Sequence, residues 1–396
     1  MFDTKFITEE LILEAAASEE KLTHLEHNED HVMHGGIEGF NHAVNNLNAV
    51  HNKLLGKPEN VDVQVKHDGS PSIVFGRHPE SGKFFVASKS AFNATPKINY
   101  SDEDIEANHG HAPGLVTKLK AALKHLPKVT PKEGVFQGDI MYTRDKKQDD
   151  VQTENGQHHF TPNTITYSTP ADGEEGKKID KAKIGVLVHT AYHGPSFDKL
   201  KAEYTPDKSG FGSHSDVHLF DNSQDFSKTK YTPKQQKEFQ GHMDAAEEAY
   251  RNAPKETFDH VLPHEEHLKT YINQTVRQGT TPNVEGYKDH VKAKFQKEAD
   301  KRKTDKAKAQ WTDAMDQHTS HVDSNYGSFE SALEMHKHLQ GAKDTLVNTL
   351  ASHQRYDHSI SGKKAKPEGY VIVRNNRPSK FVDRAEFSAA NFGRQR

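Results

Sequence analysis

The sequence predicts an α+β protein in which a mixed, largely antiparallel sheet core carries a large α-helical insertion. Three observations lead there. Short apolar strands, several with period-two alternation, dominate residues 57–195. Beyond about Pro195 the chain turns polar, and its apolar residues recur at helical spacing. Strand character then returns in Glu368-Gly-Tyr-Val-Ile-Val-Arg374 and Ser379-Lys-Phe-Val-Asp383, around a turn at Asn375-Asn376. The implied units are 1–56, an N-terminal helical segment packed on the core; 57–222, the first part of the core; 223–361, the helical insertion; and 362–396, the last core strands.

Taken in order, Thr8-Glu-Glu-Leu-Ile-Leu-Glu-Ala reads as a short helix capped by Thr8. Phe40, Val44, Leu47, Val50 and Leu54 form a helical stripe ending at Gly56. Val61, Val63 and Val65 then alternate with Asp62, Gln64 and Lys66, the pattern of a strand with one apolar face. Ile73–Phe75 and Phe84–Ala87 make a hairpin across Arg77–Gly82. Residues 113–126 are helical, with Leu115, Leu119, Ala122 and Leu126 on one face. Strands are expected at 134–142, 163–168 and 183–189, the last being the most apolar and central, with one more at 216–220. The helical stripes that follow are Met243, Ala246 and Tyr250; Val291 and Phe295; and Met335, Leu339, Ala342, Leu346 and Leu350, with breaks near Pro254, Pro263 and Gly279.

Composition narrows the classes of function. A net charge of -4 over 396 residues gives no global basic field, so a nucleic-acid surface must be local. Hydrophobic residues make up 32% and mean hydropathy is -0.92, with the polar excess between about Pro195 and Pro367. The absence of cysteine excludes disulfides, thiolate chemistry and cysteine zinc sites. No apolar run reaches membrane-spanning length and Met1-Phe-Asp-Thr-Lys-Phe-Ile lacks a signal-peptide pattern, so an intracellular, cytoplasmic protein with no membrane partner is expected.

The chemistry concentrates where strands end. Lys66-His-Asp-Gly69 closes the valine strand. By itself it is a strand surfacing at a turn or a lysine nucleophile, whose lone pair is freed when burial and nearby cations lower the amine's pKa. Ser88-Lys89, Phe136-Gln-Gly-Asp139, Glu368-Gly369 and Lys380 follow at other strand ends. That order resembles the covalent nucleotidyltransferase superfamily of ATP-dependent RNA and DNA ligases and mRNA capping enzymes: Lys-x-Asp-Gly at Lys66–Gly69, the Gly-acid pair at Gly138-Asp139, Glu-Gly at Glu368-Gly369 and the late lysine at Lys380. The chain is similar above all to RNA-ligase-like proteins of tailed phages, through Phe84-Phe-Val-Ala, Gln137-Gly-Asp, Pro162-Asn-Thr-Ile and Lys380-Phe-Val-Asp-Arg-Ala-Glu-Phe387.

The resemblance implies the adenylation-type fold of those ligases for the core and an ATP-dependent RNA ligase as the activity. Lys66 would form lysyl-AMP, pass AMP to a 5′-phosphate end, and the 3′-hydroxyl of RNA would displace it. DNA ligase and capping-type activity share that core. A protein of another class, a catalytically degenerate nucleic-acid-binding or virion-associated phage protein, would keep it too. Implied nucleotide contacts are Val65, Asp68, Gly69, Lys89, Phe136, Gly138, Asp139, Glu368 and Lys380, with the glycines letting backbone approach ATP. Lys380 and Lys89 would hold the α-phosphate and depress the pKa of Lys66 by like-charge repulsion. Asp68, Asp139 and Glu368 would offer hard oxygens to Mg²⁺ or Mn²⁺. His67, Arg144, Lys146 and Arg384 are the weaker candidates for nucleic-acid contact. The chain departs from the pattern in having a single lysine in its last motif and no aromatic on 184–189 to stack on adenine, a place left to Phe136, Tyr192 or Phe92.

Two further features stand apart. Eight basic residues lie between Lys292 and Lys308, interrupted by Glu298, Asp300 and Asp305, which fits a solvated helix or a nucleic-acid-binding face. His264-Glu-Glu-His267 is a zinc-like pair with no third ligand at a recognisable spacing, and the 28 histidines read mainly as surface composition.

Overall fold

Alternation along the valine strand decides how the molecule is layered. The computed structural model describes residues 25–145 and 149–384; the helix expected near Thr8, Lys146, and the Glu386-Phe387 end of the last signature lie outside them. In chain order the strands are β1 (Asp62–Lys66), β2 (Ser72–Arg77), β3 (Phe84–Ala87), β4 (Val135–Thr143), β5 (Val151–Glu154), β6 (Gln157–Phe160) and β7 (Thr166–Pro170). There follow β8 (Ile184–His193), β9 (Lys201–Glu203), β10 (Val217–Leu219), β11 (Asp357–Ile360), β12 (Lys363–Lys364), β13 (Gly369–Arg374) and β14 (Arg377–Val382). They form three sheets: β1-β13-β14; β10-β8-β4-β2-β3 with β9 on β8; and β12-β11-β7-β6-β5. Pairing is antiparallel except between β10 and β8.

The small sheet faces two ways. Val61 and Val63 enter a core shared with the helix Gly36–Leu54, with Tyr370, Ile372 and Phe381 of β13 and β14, and with the helical region. The helices Pro233–Asn252, Thr257–Val261, Glu265–Gln278, Val284–Asp300, Asp305–Ser324 and Tyr326–Leu350 occupy the insertion. Met335, Leu339, Ala342, Leu346 and Leu350 of the longest are completely buried, as the stripe requires. The insertion is thus packed through a continuous core onto the N-terminal helix and the small sheet. It also ends earlier than 361: residues 357–359 pair with β7.

Caps set the helix starts. Thr232 accepts from the Gln235 amide in a reciprocal capping box with Pro233 in the first turn, while Asn283 and Thr304 cap their helices by accepting from the Gly286 and Ala307 amides. The expected strand at 163–168 begins at Thr166, and residues 163–165 are loop. The β5–β6 hairpin went unpredicted, although its Asn155-Gly156 turn, with φ of 51° and 76°, is a strong hairpin signal. β11 and β12 were missed too, being short and half polar.

Candidate active site

Lys66, Gln64 and Asp62 project from the side of β1 opposite the valines. There a cleft of about 240 Å³ opens between β1 and the β4–β8 face of the large sheet. Lys66, Lys89, Gln137, Asp139, His189 and Tyr192 line it, with Val65 and His67 at the β1 side. Lys66 lies opposite Gly369 in the β1–β13 register, which sets its ammonium against the Glu368 carboxylate in a direct ion pair. Asp139 is aimed at the same place by β4. Register shifts at Gln137/Gly138 and Ile140/Tyr142 bracket it, a use of bulges common beside functional sites. His189 Nε2 stands 3.7 Å from Asp139 Oδ1 and its Nδ1 bonds Thr190 Oγ1 at 2.8 Å. Lys380, on β14 opposite Val371, makes no ion pair among the described residues.

Electrostatics here run against expectation for Lys66. Burial pulls its pKa down, but Glu368, Asp139 and Asp68 outweigh burial and hold it above the ordinary lysine value. The lowered lysine is Lys380, through burial and then repulsion by Lys66. Burial pushes the Asp139 carboxyl up, yet His189 and Lys66 hold it below the usual range. The resting site is therefore a closed charge set around an ammonium.

Asp68 serves the turn. Its carboxylate accepts from Asn163 Nδ2 (2.8 Å), the Thr164 amide (2.6 Å) and the Ile165 amide (3.0 Å), and its own amide donates to Tyr167 Oη at 2.6 Å. The Pro162-Asn-Thr-Ile stretch is thus the clamp that fixes the turn after Lys66. Three donors on Asp68 leave it poorly placed as a metal ligand. Glu368 Oε2, by contrast, is buried with no hydrogen-bond partner, and Asp139 faces the cleft. Two such carboxylates, completed by phosphate oxygens and water, are a usual Mg²⁺ arrangement. No preformed group of three His, Asp or Glu that could hold a metal ion occurs among the described residues.

Several expected residues turn elsewhere. Phe136 points to the far face of β4, packing against Phe75 and, at 4.7 Å, Phe211, so of the three aromatics proposed for base stacking it is Tyr192 that lines the cleft. Phe92 packs behind Tyr192 at 5.0 Å. The glycines are explained by strand packing instead of by a ligand. A Cβ on Gly69 would sit 2.5 Å from Asp139 Cβ, and one on Gly138 would sit 2.4 Å from the Leu187 carbonyl oxygen. His67 is no solvent-facing turn residue. It is 6% exposed and stacks on Tyr167 with Phe220 and Tyr356 at its edges, and burial lowers its pKa to about 4. Arg144 is tied to Asp149 at 3.0 Å and to the Ile179 carbonyl. Arg384 is 5% exposed and bound to Asp30, which removes it from any nucleic-acid surface.

Sequence reasoning did not assign Gln64, Gln137, Thr190, Tyr204 or Asn222 to the cleft. Gln64 and Gln137 could have been found, since they share a strand face with Lys66 and Asp139. Tyr204 and Asn222 arrive on loops and leave no periodic signal. The zinc-like pair is interior: His264 bonds Tyr287 Oη at 2.9 Å and its ring lies 4.8 Å from that of His318, while burial lowers His264 to about 3 and His267 to about 4.

The chain belongs to a family of unknown function, DUF6267, whose model matches residues 22–396. Comparison with curated proteins and with solved structures finds no match.

Proposed function

We propose that this chain is a covalent nucleotidyltransferase of the RNA-ligase kind, with Lys66 as its nucleophile. The observation that carries the reading is the charge set beside one cleft: a lysine at a strand end, held by Glu368 and faced by Asp139, with Lys380, which makes no ion pair among the described residues, two strands away on β14. Such a set suits phosphoryl transfer, which asks mainly for positioning and for neutralisation of charge.

In the resting cleft Lys66 is an ammonium and cannot attack. Glu368 and Asp139 are the residues that would hold Mg²⁺, whose chemistry would be to neutralise phosphate charge. Were these carboxylates to hold a cation, the interactions that raise the pKa of Lys66 would weaken, while burial would continue to lower it. The freed Nζ lone pair then forms an N–P bond to the α-phosphorus of ATP as the α–β phosphoanhydride bond breaks, and pyrophosphate leaves. A 5′-phosphate oxygen next takes the AMP from Lys66, breaking the N–P bond. Attack by a 3′-hydroxyl closes the phosphodiester and releases AMP. Tyr192 and Leu187 offer the base an apolar wall, and Gln137 and Thr190 a polar one.

The alternative, a degenerate core that only binds nucleic acid, is favoured by the closed Lys66–Glu368 pair. Incubation with α-³²P-ATP or GTP and Mg²⁺ or Mn²⁺, followed by denaturing electrophoresis, separates the two. Acid-labile label in the wild type and none in Lys66→Ala supports the enzyme. An unlabelled, well-folded wild type with either nucleotide refutes it. A panel of nicked RNA and DNA duplexes then sorts the joining substrate.

A further inference from the structure

The basic stretch of the insertion takes on a definite shape in three dimensions. Val284–Asp300 and Asp305–Ser324 form a helical hairpin. Its inner end is held by Val284, Tyr287, Val291 and Phe295, all buried. The second helix buries only Val322 completely, so the turn end of the hairpin stands in water. Residues 292–308 carry eight basic and three acidic side chains, a net +5 on a chain of net -4.

The mixed signs resolve on inspection of the pairs. Glu298 is taken by Lys301 and Arg302, while Asp300, which accepts from Gln296, and Asp305 keep their charge and leave the stretch at a net +5. Lys294, Lys297, Lys303, Lys306 and Lys308 carry no ion pair among the described residues, and all but Lys294 are exposed. Lys294, Lys297 and Lys301 fall at i, i+3 and i+7, one stripe along the helix, and Lys303 continues it into the turn. Arg302 lies over the ring of Trp311 at 5.2 Å, bracing the turn from the second helix. Unpaired lysines three and four residues apart on one helix face repel one another unless a polyanion lies across them.

We infer that this hairpin end is a nucleic-acid-binding arm that engages the phosphate backbone of a single strand. The occupant follows from charge: a row of point cations, beside a Trp311 ring that is half-buried and already covered by Arg302, suits backbone contact and no base readout. That the strand is the substrate of Lys66 rests on the function proposed above; the binding itself does not.

The test uses the full chain without nucleotide and reads polarisation of a fluorescein-labelled single-stranded RNA across a KCl series. The variant is Lys294→Gln/Lys297→Gln/Lys303→Gln. Loss of three backbone contacts should lower affinity by about tenfold or more near 0.1 M salt and flatten the log–log salt slope by about 2. The sole tryptophan, Trp311, and the melting temperature should be unchanged, which guards against misfolding. A wild type that does not bind, or a variant with the same affinity and slope, overturns the arm. Displacement of RNA by polyglutamate at equal charge overturns its assignment to nucleic acid. If RNA binding is lost as expected but the wild type never becomes labelled at Lys66, the arm stands and the proposed chemistry falls. Labelling at Lys66 with RNA binding indifferent to the lysines gives the reverse.

Discussion

Two charged clusters flank β14, and they are built on opposite rules. At Lys380 the strand faces the cleft, where Lys66 and Glu368 pair with side chains 26% and 17% exposed. Beyond the strand's end, Arg384 enters a sealed cluster in which Lys343 and Glu29, both fully buried, pair at 2.7 Å. Arg384 bonds both oxygens of Asp30, and His336 bonds Asp30 Oδ1 at 2.8 Å. The sealed cluster ties the long helix, the N-terminal segment and the chain's last described residue together. Among the described residues the open cluster leaves Glu368 Oε2 without a hydrogen bond and Lys380 without an ion pair. One set of charges is spent on structure, the other is kept available.

That contrast breaks hardest at Lys343. Lys343→Ala leaves Glu29 buried without its cation and should cost about 3–5 kcal/mol in urea unfolding. Restoration by a second change, Glu29→Gln, would confirm the uncompensated charge as the cause. Next comes acid. His67 and His264 are almost fully buried with pKa values of about 4 and about 3, below the ordinary 6.5. The unfolded chain therefore binds their protons first as pH falls. Their contribution is complete above about pH 6.5 and declines through the window down to pH 4 and 3, by roughly 2 kcal/mol each at pH 5. Replacing His67 with Phe should flatten the stability–pH curve between pH 6 and 4.

Gly69→Ala is smaller. Its new methyl meets Asp139, so about 1–3 kcal/mol of stability should be lost together with most labelling at Lys66. Smallest in stability is Glu368→Gln, which breaks a partly exposed pair. The unfolding free energy should move by less than about 1 kcal/mol while nucleotide labelling collapses. A loss as large as that of Lys343→Ala would show that the two clusters do not differ in kind.

These same residues show what could be read in advance. The face of β1 carrying Lys66, and the Glu368 and Lys380 strands, followed from alternation, because a period of two leaves a strand few choices once one face is valine. The buried stripe from Met335 to Leu350 followed in the same way from helical periodicity. Phe136 was misplaced because alternation tells which residues share a face but not which face meets the cleft. His67 and Arg384 were misjudged because burial of a polar group depends on partners distant in sequence: Tyr167 for the first, Asp30 for the second. The raised pKa of Lys66 was beyond reach for that reason too, since it is the sum of three carboxylates brought together by folding.

The pairing of β1 has a consequence in time. Within its sheet β1 is bonded to β13 alone, and the residues joined across the Lys66–Glu368 pair are 302 positions apart. A ribosome adding about 5–20 residues per second needs roughly 15–60 s to make that interval. Throughout it, the Lys66 strand has emerged with its ladder edge unsatisfied, apart from a bridge between Gln64 and Ser223 formed on the way. The cleft can close only once residues 368–380 have been made. A chain ending before residue 368 would hold Lys66 without Glu368 or Lys380, and on the function proposed above it could not react with ATP.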